Sequence, residues 1–182
     1  MSTLTAAETV PAGTWVLDPV HSSVGFSVKH MVVATFRSRF ESFDATLSTV
    51  DGHPKLTGVV QVGSIVAKDE NLAGHLQSPD FFDGAAHPEI RFESTSIARE
   101  GDRLALEGSL TIKGTTRPVT AAGTISGPHT DIAGTEKIGI ELETTIDRTA
   151  FGLDWNAPLP KGGFALANDV TLTVELELAQ QA

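Results

Sequence analysis

The feature that most constrains this chain is a two-residue hydrophobic period that returns along most of its length. Near the C-terminus Val170, Leu172, Val174, Leu176 and Leu178 alternate with Thr171, Thr173, Glu175 and Glu177. Side chains of an extended strand point alternately to opposite faces, so such a run has one dry face and one wet face. Ile138 to Ile146, Leu104 to Ile112 and Val24 to Val28 repeat the pattern. Weaker strands are expected at Thr14 to Leu17, Phe36 to Val50, Leu56 to Ala67, Ile90 to Ile97 and Pro118 to Ile125. Turn residues divide the runs at Asp51-Gly52-His53-Pro54, Glu100-Gly101-Asp102, Lys113-Gly114-Thr115-Thr116 and Gly127-Pro128-His129. Roughly eight consecutive strands joined by short turns describe an antiparallel meander, and closing so long a sheet removes its edges. The expected fold is therefore an all-β, antiparallel eight-stranded barrel.

Two stretches break the period. Asp69 to Phe82 places Leu72 and Leu76 four apart, with Ser78-Pro79 resembling a second helix start, which predicts one or two short helices near one barrel end. Arg148 to Asn168 holds Pro158, Pro160, Gly162 and Gly163 around Phe151, Trp155 and Phe164, and reads as a long functional loop. Residues 1–13 are expected to be a flexible N-terminal segment and 14–182 a single domain, large enough to bury roughly 70% of its unfolded surface.

Charge and composition exclude several functions. Thirteen Lys and Arg against 23 Asp and Glu give a formal net charge of −10, which opposes phosphate-rich partners, so neither nucleic acid nor an anionic membrane surface is expected as a partner, and no stable membrane insertion. Absence of Cys removes disulfides, thiolate catalysis and Cys-based metal centres. None of the six histidines, His21, His30, His53, His75, His87 and His129, forms the close pair that commonly builds a metal face, and no metal site is expected. Phosphate-loop, dinucleotide, nucleophile-elbow and zinc-protease motifs are missing, and no catalytic residue or cofactor is assigned. The N-terminus carries neither a basic region nor an apolar run of signal-peptide type, so a cytoplasmic location is the expectation.

The parity of the strands assigns an inner face on which small residues, Gly58, Ser64, Ser94, Gly108, Ala121 and Gly123, stand among Phe26, Leu47, Val60, Val62, Phe92, Leu110 and Ile140. An eight-stranded barrel either fills its interior or leaves space for one ligand, and small inward residues favour space. Each methylene a guest buries there contributes roughly 0.8 kcal/mol, so a long hydrocarbon binds without any ion pair. His30 shares the inward parity of Val28 and can be a satisfied core histidine or a contact to a ligand head. Arg148 continues the parity of Ile146; it can close the barrel end through an ion pair with Asp147 or Asp154, or donate to a ligand oxygen.

Four blocks carry a family resemblance. They are Trp15-Val-Leu-Asp-Pro-Val-His-Ser-Ser-Val-Gly-Phe-Ser-Val-Lys-His-Met31; His75-Leu-Gln-Ser-Pro-Asp-Phe-Phe-Asp83 with His87-Pro-Glu-Ile-Arg-Phe-Glu-Ser94; Gly108-Ser-Leu-Thr-Ile-Lys-Gly-Thr-Thr-Arg-Pro-Val119; and Ile146-Asp-Arg-Thr-Ala-Phe-Gly-Leu153. In order and spacing they resemble the YceI-like family. The chain departs from the family pattern at Gly74, where Asp is usual, and at Phe36-Arg-Ser-Arg-Phe40. The resemblance implies an extended lipocalin-like barrel, a polyisoprenoid or isoprenoid-quinone ligand, carriage or storage without catalysis, and a homodimer. Carried onto the matching blocks, it implies a lining of Phe26, Val28, Phe36, Phe40, Phe81, Phe82, Phe92, Phe151 and Phe164, with His30 and Arg148 as polar members. The alternatives are an isomerase or cyclase acting inside the barrel, and a solidly packed interaction barrel. Gly108→Leu is expected to fill open space and abolish lipid uptake in a carrier, and to overpack the core of a solidly packed barrel.

Overall fold

The computed structural model describes residues 9–182. Ten strand segments form one antiparallel sheet: β1 (Gly13–Leu17), β2 (Ser23–His30), β3 (Ala34–Phe40), β4 (Phe43–Val50), β5 (His53–Gln61), β6 (Glu89–Glu100), β7 (Arg103–Ile112), β8 (Thr115–Thr130), β9 (Glu136–Asp147) and β10 (Leu166–Gln180). The 15-residue β10 pairs with β9 on one side and, on the other, with both β2 and β1, for example Val170 with Val28 and Leu178 with Leu17. β1 pairs with β4 and β2 with β3. Thus β1 and β2 are two halves of one wall strand and β3 and β4 two halves of the next, giving a closed eight-stranded meander.

The breaks in these two strands have local causes. Between β1 and β2 the Asp18 side chain accepts from the Val20 N–H at 3.1 Å and caps a 3-10 turn whose first residue is Pro19. Between β3 and β4, Glu41-Ser42 swings out. There the Glu41 N–H donates to the Ser64 carbonyl at 3.1 Å, and the Ser42 N–H to the Ser64 hydroxyl at 2.9 Å. Ser64, expected on the inner face of a strand running to Ala67, thus lies in a 3-10 turn (Val62–Ser64) and ties two segments together.

Two further expectations are corrected. Gly127-Pro128, read as a turn, lies inside β8 at a cis peptide bond, where the β8–β9 register shifts between Ser126 and His129. Helix α1 (Glu70–Gln77) is the sole α-helix among the described residues, N-capped by Asp69, which accepts from Leu72 N–H at 2.8 Å. Ser78 is its C-cap: the Ser78 N–H and hydroxyl donate to the His75 carbonyl at 3.1 and 2.7 Å, and although the same hydroxyl accepts from the Asp80 N–H at 3.3 Å, only a turn follows it and no second helix. The segment before β1 falls partly outside the described residues; within them Val10 is buried in the core and the Ala12 carbonyl accepts from the Trp15 indole at 3.2 Å.

Two apolar clusters divide the barrel. Around β1, Trp15, Leu47, Leu104, Ile125, Ile138 and Leu178 pack into a solid plug. At the other end Phe40, Phe82, Ile112, Ile146 and Phe151 cluster with Leu76 of α1. Large branched residues from facing strands fill the first end; the space opens where they give way.

Candidate functional site

That space is a cavity of about 730 Å³, within the usual range for small-molecule sites. Leu56, Leu106, Leu142 and Leu176, the upper members of the plug, form its floor. Its wall on β10 runs from Leu166 to Leu176, about 33 Å of strand at the usual rise per residue. Above it, Leu72 and Leu76 of α1, Phe81 and Trp155 make the roof. The interior is therefore a blind pouch, hollow in one half and plugged in the other, rather than a tube open from end to end.

Small residues open the pouch at two places. Gly58 and Ala121 line it, and a Cβ at Gly58 would come no closer than 3.7 Å to another atom, the Asp44 carbonyl oxygen. Other small residues named from parity serve different ends. At Gly108 a Cβ would sit 2.6 Å from both the Phe92 ring and the Glu93 carbonyl oxygen, so the ring already occupies the place that glycine vacates. At Gly123 a Cβ would sit 1.7 Å from the Glu141 carbonyl oxygen of β9, leaving no room for any side chain. Ser94 sits at a shift in the β6–β7 register, and its hydroxyl accepts from the Leu56 N–H of β5 at 2.8 Å, just past the last β5–β6 pair, Thr57 with Glu93.

Aromatic residues surround the upper pouch in tilted and edge-on contact. Ring centroids of Phe26 lie 6.1 Å from Phe36 and 5.9 Å from Phe40, and Phe40 lies 5.9 Å from Phe82. Such contacts fix ring orientation beyond simple area burial. Ten of the expected site residues, Phe26, Val28, His30, Phe36, Phe40, Phe81, Phe82, Phe92, Arg148 and Phe151, do converge on the cavity. Phe164 does not: it is 60% exposed on the loop before β10, outside the lining. Its ring is turned out because Pro158 and Phe164 bridge in a small hairpin closed by Leu159 N–H to Gly163 carbonyl at 2.9 Å.

The two polar candidates part company. His30 stands exposed at the rim, opposite Ala34 and Leu166. Arg148 is buried, 5% exposed, and holds the loop over the barrel. Its Nε donates to the Ala167 carbonyl at 2.9 Å, and its Nη1 donates to the carbonyls of Leu153 and Trp155 at 2.5 and 2.9 Å. Burial pulls its pKa below the ordinary arginine value, while Asp147 and Asp154 act in the opposite direction. Asp147 itself is engaged with the Thr149 N–H and hydroxyl, so the acceptors in contact with the guanidinium are carbonyls rather than the expected carboxylates.

Parity missed part of the roof. Trp155 and His75 come from irregular and helical segments, where a period of two carries no information. Their rings meet at 4.7 Å edge to face, and the His75 Nε2 is 3.1 Å from the Asp80 carboxylate. The helix spacing of Leu72, His75 and Leu76 was the available signal.

A family model of the YceI-like domain matches residues 15–178. The chain belongs to the YceI-like family. It is 29% identical over 164 residues to Protein YceI of Salmonella newport, covering 88% of this chain and 83% of that protein. Among solved structures, Burkholderia cenocepacia BcnA superposes with a TM-score of 0.74 at 23% identity, over 88% of this chain and 98% of its own. A polyisoprenoid binding domain from Saccharophagus degradans, implicated in plant cell wall breakdown, superposes with a TM-score of 0.69 at 12% identity, over 92% and 98%. These two likenesses establish the YceI barrel as the fold. Within the described residues, no helix is long and apolar enough to cross a membrane.

Proposed function

We propose that this YceI-like protein takes one long apolar molecule, a polyisoprenoid or an isoprenoid quinone, into its blind pouch and carries or stores it without breaking a bond. The observation that carries this reading is the 730 Å³ cavity walled by Phe, Leu, Val and Ile from eight strands. Desolvation supplies the affinity: roughly 0.8 kcal/mol per methylene transferred from water. The polyisoprenoid-binding description of the Saccharophagus degradans relative supports the choice of chain chemistry.

The floor makes entry one-ended. A tail enters past Met31 and Ala34, which line the cavity and stand exposed, and its head remains near His30 at the rim. Arg148 donates from Nε to Ala167 and from Nη1 to Leu153 and Trp155 of the covering loop, while its buried Nη2 has no partner among the described residues, and it acts by holding the roof over the tail. Native mass spectrometry of purified protein before and after organic extraction tests the reading. One bound amphiphile per chain, removed by extraction and restored by added isoprenoid, is expected; no co-purified lipid together with no uptake refutes it. Turnover of an isoprenoid that disappears in His30→Ala would replace carriage with catalysis.

A further inference from the structure

Seven large apolar side chains stand exposed among the described residues, and four of them share one rim: Met31 at 43%, Val32 at 72%, Val33 at 86% and Phe164 at 60%. They come from two loops joined by backbone. The Met31 N–H donates to the Ala165 carbonyl at 2.7 Å, and His30 pairs with Leu166. Met31 also lines the pouch, so the rim is continuous with its mouth. Met31 and Val32 hold φ values of 51° and 65°. In that left-handed hairpin turn Asn-Gly is the low-strain pair, and a β-branched residue is costly. Strain is thus accepted where apolar side chains are held out into solvent.

Charge on the β2–β3 hairpin and the loop before β10 runs against the rest of the molecule, with one exposed acid, Asp169 on β10, beside Lys29 between the Leu166–His30 and Val170–Val28 pairings. Residues 22–40 and 155–167 contain Lys29, Arg37, Arg39 and Lys161 and no Asp or Glu. The remainder holds the other nine cations and all 23 acids. On the hairpin, Lys29, Arg37 and Arg39 share the outward parity, opposite Val28 and Phe36 on the inward one. Arg39 is paired with Glu41 at 2.9 Å, which leaves Lys29, Arg37 and Lys161 nearest the apolar tips.

We propose that this rim docks on the surface of an anionic lipid bilayer. Met31, Val32, Val33 and Phe164 enter the boundary between headgroups and acyl chains, and Lys29, Arg37 and Lys161 rest against phosphates, so that the mouth opens onto hydrocarbon. The net charge of −10 repels such a surface at long range and orients the molecule rim-first. At physiological salt, screening over about 8 Å suppresses the acids on the far side while leaving the contacts in place. Docking is peripheral and needs no spanning helix, and the described residues contain none. It rests on the carrier reading only for its purpose, since the contact itself needs no cargo.

Flotation of the full chain with vesicles of phosphatidylcholine, with and without phosphatidylglycerol, tests the proposal. The wild type is expected to float with the anionic vesicles and only weakly with the neutral ones. Val32→Gly, Val33→Ser and Phe164→Ser combined leave the pouch lining intact and relieve the turn, so the melting temperature holds or rises while flotation falls by about ten-fold or more. Lys29→Glu with Lys161→Glu abolishes the preference for phosphatidylglycerol. Wild type that stays at the bottom of the gradient, or a folded triple variant that floats undiminished, overturns the proposal. So does a wild-type dimer in sedimentation equilibrium that the triple variant dissolves without any vesicle binding. Uptake of a fluorescent isoprenoid from solution, measured in parallel, is expected to be equal in wild type and triple variant. A loss of docking with intact uptake thus separates failure of this proposal from failure of the pouch.

Discussion

Gly58→Leu tests whether the space in the barrel is available to a guest. Gly58 faces the pouch between Ala45 and Phe92, its strand neighbours on β4 and β6. A new Cβ there meets only the Asp44 carbonyl oxygen at 3.7 Å, an ordinary contact, and the backbone lies outside the left-handed region. Leucine adds four carbons to the interior and displaces three or four methylenes of ligand. At about 0.8 kcal/mol each, the loss is roughly 3 kcal/mol, or about 100-fold in Kd. Stability should hold or rise slightly, because replacing glycine restricts the unfolded chain. Gly108→Ala is the contrast: its single methyl lands 2.6 Å from the Phe92 ring, overpacks by about 1–3 kcal/mol and lowers Tm by about 2–12 °C. Paired isoprenoid titrations and thermal melts on both variants check this. If Gly58→Leu melts like an overpacked core, or binds like wild type, the pouch at that wall is not the ligand site.

Other expectations follow from single contacts. Arg148→Met strips three carbonyls of their donor and should cost about 2 kcal/mol or more, read as a lower Tm and as faster proteolysis within residues 152–165. Phe82→Ala removes a buried ring from the wall and should cost about 3–5 kcal/mol, whereas Phe164→Ser leaves both stability and ligand affinity unchanged. At the plug end, hydrogen bonding to His21, aided by Lys137, holds the Asp18 carboxyl down at about 2, and the same contact raises the His21 pKa. Asp18 thus stabilises the fold above its ordinary value of 3.8, and that contribution fades as pH falls toward 2. His21 contributes below its unfolded pKa and loses that contribution as pH rises through the raised one. NMR titration of Asp18→Asn should return His21 to the ordinary histidine range.

The barrel was legible because a buried strand face must be apolar, and a period of two cannot be satisfied by any other element. β7, β9 and β10 lie where alternation put them. What alternation could not show is how the inner face is occupied. Gly58 and Gly108 are both inward glycines on that pattern, yet one faces space and the other faces the Phe92 ring; only the rotamer of a neighbouring strand's side chain distinguishes them. The breaks at Asp18 and Glu41-Ser42 were likewise invisible, since they depend on Val20 and on the distant Ser64. Phe164 and Trp155 belong to one aromatic loop; a single Pro158–Phe164 bridge turns the first outward, while the carbonyl of the second is held by Arg148 beneath the roof.

The barrel is hollow at one end and closed at the other. A series of isoprenoid alcohols of increasing length, titrated against the protein, measures this directly. Affinity should rise by up to about 0.8 kcal/mol per added carbon while the tail still finds pouch, then level off once it reaches Leu106 and Leu142 at the floor. An affinity that ignores chain length, or one that climbs without a plateau, would contradict a blind apolar pouch.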